Sequence, residues 1–169
     1  MMDWLFTIFE TNSDQARLIT VVFSALIAMF ILLLNQSFIN RRNKRDLLVQ
    51  KVEDLYVLSI EYSNTCQNIL DDIKNNEAEV FEIDPAKSNK VTELIRRMEM
   101  ICGLHFNGAG FDSNDYRLWN MPIIEFETKE NYRDETEHHM AYEDSQQHIV
   151  DADAKLAVIC KKLMNKHGH

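Results

Sequence analysis

The densest group of side chains capable of chemistry lies between residues 133 and 148, where five carboxylates and three histidines accompany one arginine. Glu135, His139 and Glu143 recur at four-residue intervals, so a helix would place them on one face within reach of a divalent cation. Glu135 and His138 also have the Glu-x-x-His spacing that a di-iron centre uses in pairs, but no second copy follows in the chain. One hypothesis is therefore a single mononuclear metal site at Glu135, His139 and Glu143.

A second hypothesis rests on Arg133 and His138, which are separated by four residues with an aspartate directly after the arginine. This spacing resembles the Arg-x(4–6)-His signature of the helical HEPN ribonucleases. The resemblance implies that the two side chains would stabilise the attacked phosphate and exchange protons with the ribose hydroxyl and the leaving group. Against it, residues 112–153 carry 12 acidic and 3 basic side chains, a surface that repels RNA.

A solvated acidic helix face accounts for the same cluster without any ligand, and we favour that interpretation. No Gly-x-Gly-x-x-Gly, P-loop, His-Glu-x-x-His or Gly-x-Ser-x-Gly motif stands in the chain. Cys66, Cys102 and Cys160 form no Cys-x-x-Cys pair, so we expect three buried thiols in a reducing compartment. The sequence thus favours a protein that is not an enzyme, holds no cofactor and binds no nucleic acid.

The elements that would position these residues are helices. Only 4 Gly and 2 Pro occur in 169 residues, too few for a turn-rich β-sandwich or a glycine-rich nucleotide-binding fold. The net charge of −9 also argues against a nucleic-acid binder held by electrostatics. We predict an all-α protein with one N-terminal transmembrane helix, followed by a cytoplasmic bundle of about three long helices and one short helix.

The transmembrane prediction rests on residues 18–34, an uninterrupted apolar run without charge, proline or glycine. A helix over residues 18–39 would be about 33 Å long, enough to cross a hydrocarbon core of about 30 Å. Asp3, Glu10 and Asp14 precede the run where a cleavable signal peptide would carry cations. The predicted organisation is an extracytoplasmic tail at 1–17, the span at 18–39 and a cytoplasmic helical domain at 40–169.

Orientation follows from the flanking cations, since Arg41, Arg42, Lys44 and Arg45 come just after the run and only Arg17 precedes it. The positive-inside rule therefore places the N-terminus outside and the C-terminal domain in the cytoplasm, with the bilayer as a partner. Residues 1–51 carry six basic and four acidic side chains. The remaining 12 basic and 23 acidic residues give residues 52–169 a charge of −11.

Apolar spacing predicts the helices of that domain. The first carries a seam of residues at alternating intervals of four and three, which packs either within the chain or against a second copy: Leu48, Val52, Leu55, Ser59, Tyr62, Cys66, Ile69 and Ile73. A second helix is expected from Ser88 or Asn89 to the Asn107-Gly108 stop. A short helix should open at Asp112 or Ser113, with Tyr116 and Trp119 as packing anchors. Pro122 should lie in the first turn of the next element, and the last helix is expected over residues 144–166.

The order of these features resembles a group of uncharacterised bacterial and phage membrane-anchored helical proteins. The likeness rests on the span, the basic stop, the long helix, the stretch at residues 94–103, Phe111-Asp112 and the terminal helix. It implies this fold and a bacterial or phage origin, and it carries over no catalytic residue. The predicted location is the bacterial inner membrane, which the chain crosses once. We therefore expect a membrane-anchored interaction module that binds a protein partner or forms homo-oligomers. The alternatives are a membrane-tethered HEPN-like ribonuclease effector and a helical metal-binding protein.

Overall fold

The computed structural model describes residues 12–75, 83–128 and 135–168, and within these ranges every regular element is a helix. Four α-helices follow one another: α1 (Asn12–Asn75), α2 (Pro85–His105), α3 (Pro122–Thr128) and α4 (Glu135–His167). Two 3-10 turns, Ser113–Tyr116 and Leu118–Asn120, lie between α2 and α3. The all-α prediction is confirmed over the described residues. Where a short helix was expected from Asp112 or Ser113, the chain instead forms the two 3-10 turns, and the short α-helix begins at Pro122.

Helix α1 is 64 residues long because no proline or glycine interrupts residues 12–75. The chain divides into two compact units, Met1–Arg45 and Asp46–His169. In the first unit, the apolar side chains of residues 18–34 are all exposed. In the second unit, the rest of α1 contributes one side of a hydrophobic core.

The core of the second unit lies between α1, α2, α3 and α4. The seam predicted on α1 is buried from Val52 to Ile73, with Leu48 partly buried at its edge. Because the contacts that cover it come from the same chain, the seam closes within one molecule. The three cysteines are buried, as predicted. The buried apolar side chains of the other three helices are Val91, Leu94, Ile95, Met98, Ile101, Cys102, Ile123, Ile124, Tyr142, Ile149, Ala152, Leu156, Ile159, Cys160 and Leu163.

Helix α2 begins three residues before the predicted start. Asp84 is its N-cap, and the Asp84 carboxylate accepts a hydrogen bond from the Ala86 N–H at 2.8 Å. Pro85 occupies the first helical position, where its missing N–H is not needed and its fixed φ suits the helix. At the other end, Phe106 closes the helix with an N–H bond to Cys102, ahead of Gly108, whose φ of +83° requires glycine.

The segment between α2 and α3 folds back over the core. Asp112 caps the first 3-10 turn by accepting the Asn114 N–H at 2.9 Å, as the sequence predicted. Tyr116 is buried, with its ring edge-on to Tyr62, and its backbone carbonyl accepts the Tyr62 hydroxyl at 2.9 Å. Trp119, by contrast, is 67% exposed, so the prediction that it is a packing anchor was wrong.

Helix α4 begins at Glu135, nine residues before the predicted start, because residues 135–143 continue the helix despite their polarity. The helix runs antiparallel to α1. Lys74 of α1 lies over the ring of Tyr142, and Ser63 of α1 donates a hydrogen bond to Asp153 at 3.1 Å. Between these two contacts the residue number falls by eleven on α1 and rises by eleven on α4, which fixes the register of the pair.

Candidate functional site

In the polar cluster of residues 133–148, His138 contacts a neighbouring helix. Its Nε2 is 3.0 Å from Oε1 of Glu127, the penultimate residue of α3. The Glu127 side chain is only 6% exposed, and the His138 ring stands edge-on to Phe126 at 5.7 Å. His138 therefore joins the end of α3 to the beginning of α4. Arg133, the other half of the ribonuclease hypothesis, lies outside the described residues.

This carboxylate–imidazole pair has two chemical uses. A carboxylate that accepts a bond from one imidazole nitrogen orients the ring, and the same arrangement prepares a histidine for proton transfer. The pair also acts as a tether between two helices, since a hydrogen bond at a half-buried position stabilises the contact it spans. Contacts from Phe126 and Glu127 lie on the side of the ring that faces α3, which is the geometry of a tether.

The residues of the metal hypothesis come together only in part. His139 Nε2 lies 3.3 Å from Glu143 Oε1, one helical turn away, and both side chains are mostly exposed. Glu135 occupies the first turn of α4, two turns before Glu143, and is exposed as well. Throughout the residues that the structure describes, no group of three or more His, Cys, Asp or Glu side chains is arranged to hold a metal ion.

His148 differs from the exposed His139 because, like His138, it is partly buried. Burial lowers its pKa, and the nearby positive charge of Lys155 lowers it further, so the imidazole is neutral at pH 7. Its Nδ1 is buried and has no hydrogen-bond partner among the described residues. A neutral ring suits this place, because a charged imidazole would need a partner there.

The four cations assigned to membrane topology are all exposed. Arg41, Arg42, Lys44 and Arg45 lie on α1 directly after its apolar part, within the first compact unit. Within the described chain, α1 is the one helix long and apolar enough to cross a membrane, judged by length and composition. None of the apolar window of α1 is buried within the molecule.

A cavity of about 310 Å³ lies between α2 and the two 3-10 turns, and the sequence reasoning missed it. Its apolar residues are the buried Val91, Ile95 and Leu118. The exposed Arg96, Arg117 and Trp119 stand around it, together with Glu99, which accepts a hydrogen bond from Ser113 at 2.9 Å.

The chemistry of this cavity suits a protein partner. Exposed tryptophan and arginine are the side chains that most often dominate binding energy at interfaces. Two guanidinium groups beside an indole favour a partner segment that carries a carboxylate next to an apolar side chain. The signal in the sequence was the two-residue spacing of Tyr116 and Leu118. Both side chains are buried, and Trp119, directly after them, is exposed.

Comparison with known proteins found no relative of this chain. No protein-family model, no curated protein and no solved structure matches the chain.

Proposed function

We propose that the chain is a single-pass protein of the bacterial inner membrane whose cytoplasmic helical domain binds a protein partner. The observation that carries the proposal is the complete exposure of the apolar residues 18–34 on α1. Seventeen consecutive apolar or weakly polar side chains in water would cost far more free energy than a domain of this size has in reserve. A bilayer removes that cost, and a helix is one of the two structures that satisfies its own backbone in lipid.

The orientation is part of the same proposal. Four cations follow the apolar segment within six residues of Ile39, and cations at this distance retain a flanking segment in the cytoplasm. Arg17 is the single cation on the other side. The N-terminus therefore lies outside and the domain that contains α2, α3 and α4 lies inside.

A topology experiment tests this orientation. All four cations are replaced by glutamate in the full chain, and protease accessibility of a C-terminal tag is measured in spheroplasts and inverted vesicles. The variant should lose its uniform orientation, with part of the population exposing the tag outside. A matched control replaces by glutamate four cations that neither proposed site uses, Lys74, Lys87, Lys90 and Arg97. An unchanged sidedness in the first variant would contradict the role given to Arg41, Arg42, Lys44 and Arg45.

The partner site is assigned to the cavity beside Trp119. Anchoring restricts the domain to the membrane plane and raises its effective concentration toward other membrane-associated proteins, so a small docking site suffices. The two arginines select a partner segment with a carboxylate. They stand out because residues 52–169 of this chain are otherwise strongly acidic.

Site-specific photocrosslinking in the native membrane tests the partner site. A photoreactive residue at position 119 should give an adduct of one defined mass, and the same residue at the exposed position 140 should not. The adduct should disappear when Arg96→Glu and Arg117→Glu are combined with the probe at 119. An adduct that survives this charge reversal, or that forms equally from position 140, would contradict the site. An adduct of twice the chain mass would identify the partner as a second copy.

A further inference from the structure

Helix α4 is divided into an acidic half and a basic half. Residues 135–153 carry six Asp or Glu and no Lys or Arg. Residues 154–167 carry no acidic side chain and four lysines, all of them exposed: Lys155, Lys161, Lys162 and Lys166. In a domain whose overall charge is strongly negative, this is a local concentration of positive charge.

The helix dipole does not account for this division. Anions near the N-terminus and cations near the C-terminus stabilise a helix, but the effect falls off within the first and last turn, about four residues. Glu135, Glu137 and Lys166 lie in those turns. Lys155 and Lys161 lie outside them, as do the other four acidic residues, so most of the segregated charge needs another cause.

The fold places the basic half at one end of the domain. The register between Lys74 and Tyr142, and between Ser63 and Asp153, brings Lys162 and Lys166 to the level of residues 54 and 50 on α1. The ring of His167 confirms this placement, since it contacts Phe106, at the end of α2, at 5.6 Å. The lysines are therefore at the end of the domain where α1 enters it, at Asp46.

On α1 and in the loop directly after α2, little negative charge opposes them at that end. Lys51 pairs with Asp54 at 2.6 Å, which leaves Asp46 and Glu53 as the other acidic residues on these first turns of α1. The loop at residues 107–110 is uncharged, and the 3-10 turn after it adds Asp112 and Asp115. The opposite end of the domain carries the acidic half of α4 with Asp71, Asp72 and Asp84, and also Lys74, Lys87 and Lys90, of which Lys87 pairs with Asp72 and Lys90 with Glu61.

The chain itself limits how far this end lies from the apolar segment. Six residues, 40–45, separate Ile39 from Asp46, and even a fully extended link of this length reaches only about 25 Å. Four of the six are cations. The link is thus short enough for this end of the domain to reach a bilayer in which residues 18–39 are embedded.

We propose that Lys161, Lys162 and Lys166 form a surface that binds anionic phospholipid headgroups. The inference rests on the proposed membrane anchor and adds a lipid partner to it. Each lysine near an anionic leaflet is attracted to it within about one Debye length, and the acidic end of the domain is repelled. The domain consequently takes one orientation on a negatively charged leaflet, and the acidic end of α4 points away from it.

Lysine reactivity in lipid nanodiscs tests this surface with the full chain. The protein is placed in discs of phosphatidylcholine, or of phosphatidylcholine with 30% phosphatidylglycerol, and exposed amines are labelled with a water-soluble ester before mass spectrometry. In anionic discs the labelling rate of Lys161, Lys162 and Lys166 should fall about fivefold or more, and 0.5 M salt should restore it. Lys74, at the opposite end, should label equally in both kinds of disc.

Lys44 separates the failure of this proposal from the failure of the anchor. If Lys44 becomes protected in anionic discs and the three lysines of α4 label equally in both compositions, the lipid surface on α4 is wrong and the anchor stands. If the chain does not enter discs at all, both proposals are contradicted. Equal protection in neutral and anionic discs would show burial instead of headgroup binding, and it would also overturn the inference.

A charge-neutralised variant gives a second readout. The full chain with Lys161→Gln, Lys162→Gln and Lys166→Gln should retain fewer phosphatidylglycerol molecules in native mass spectrometry than the unaltered protein. The matched control makes the same charge change at the other end, with Lys74→Gln, Lys87→Gln and Lys90→Gln, and should retain as many as the unaltered protein. Equal retention by the two variants would contradict the proposal. Protection of the three lysines by an RNA homopolymer in detergent, without protection by anionic discs, would assign the surface to nucleic acid and overturn it.

Discussion

At the scale of single residues, the interior of this domain depends on a few polar groups with partners inside the molecule. Ser145 is fully buried, and its hydroxyl accepts the Ile123 N–H at 2.9 Å and donates to the Ala141 carbonyl at 2.7 Å. Ile123 is the second residue of α3, where a helix has no backbone acceptor of its own. A serine from α4 thus supplies the cap that α3 lacks.

The substitution Ser145→Ala removes this cap and leaves the Ile123 N–H without its acceptor. We expect the free energy of unfolding to fall by about 1–3 kcal/mol, the cost of a buried donor without a partner. Urea unfolding in detergent, followed by circular dichroism, measures it. Ser63→Ala, which removes an exposed hydrogen bond to Asp153, is the matched control and should change stability by less than about 0.5 kcal/mol. Equal effects of the two substitutions would contradict the capping role.

The buried thiols and phenols give the domain a pH dependence at high pH. Burial raises the pKa of Cys66 to about 12, and it raises those of Cys102 and Cys160 to about 11. Burial chiefly, and next the negative charge of Asp115, raises the pKa of Tyr116 to about 12. Between the pKa values of the unfolded chain, near 9 to 10, and these values, the folded state binds more protons than the unfolded state.

Stability should therefore be constant from pH 7 to about 8.5 and fall as the pH rises through 9 to 11. Urea unfolding at a series of pH values measures this, with constant ionic strength. Alkylation by iodoacetamide at pH 8.5 gives a parallel check, because the native thiols should react far more slowly than the same thiols in urea. A native chain that alkylates as fast as the unfolded one would show that these cysteines are accessible.

At the scale of elements, the sequence predicted the buried faces of the helices better than the residues at which the helices begin. The apolar spacing on α1, α2 and α4 identified buried faces that the structure confirms, because burial repeats with the helical period. The predicted starts of α2 and α4 were wrong because side-chain contacts that apolar spacing does not record lie there. Pro85 and the carboxylate of Asp84 begin α2, and Glu127 of another element meets α4 near its start.

The candidate site was harder to predict for a related reason. The carboxylate that meets His138 comes from α3, eleven residues earlier, and no spacing rule within one helix could identify it. Trp119 was misjudged because Arg117, in extended conformation, separates the two 3-10 turns and leaves the Trp119 side chain exposed.

The tether between α3 and α4 predicts different outcomes for two adjacent histidines. His138→Gln should lower the free energy of unfolding by about 1 kcal/mol because the contacts with Glu127 and Phe126 are lost. His139→Gln should change it by less than about 0.5 kcal/mol, since the His139–Glu143 pair is exposed. Thermal unfolding of the two variants compares them. A larger effect at His139 would contradict the tether, and RNA cleavage that His138→Gln abolishes in a folded protein would favour the ribonuclease hypothesis.

At the scale of the whole molecule, the distribution of apolar and charged residues along the chain supports one consistent arrangement. The apolar exposed part of α1 precedes four cations, and the lysines of α4 lie at the entry end of the domain. The acidic residues concentrate at the other end. A charge gradient in this direction favours a negatively charged membrane beside the entry end and repels the rest of the domain from it.

The most direct test of the membrane anchor measures how the full chain divides between the membrane and the soluble fraction. Membranes from expressing cells are washed with alkaline carbonate and then floated on a density gradient. The account predicts that the chain floats with the lipid, and that Leu26→Arg combined with Phe30→Arg releases it, since each arginine at the centre of a span costs about 2.5–3.5 kcal/mol. Recovery of the unaltered chain in the soluble fraction after the wash would contradict the membrane anchor.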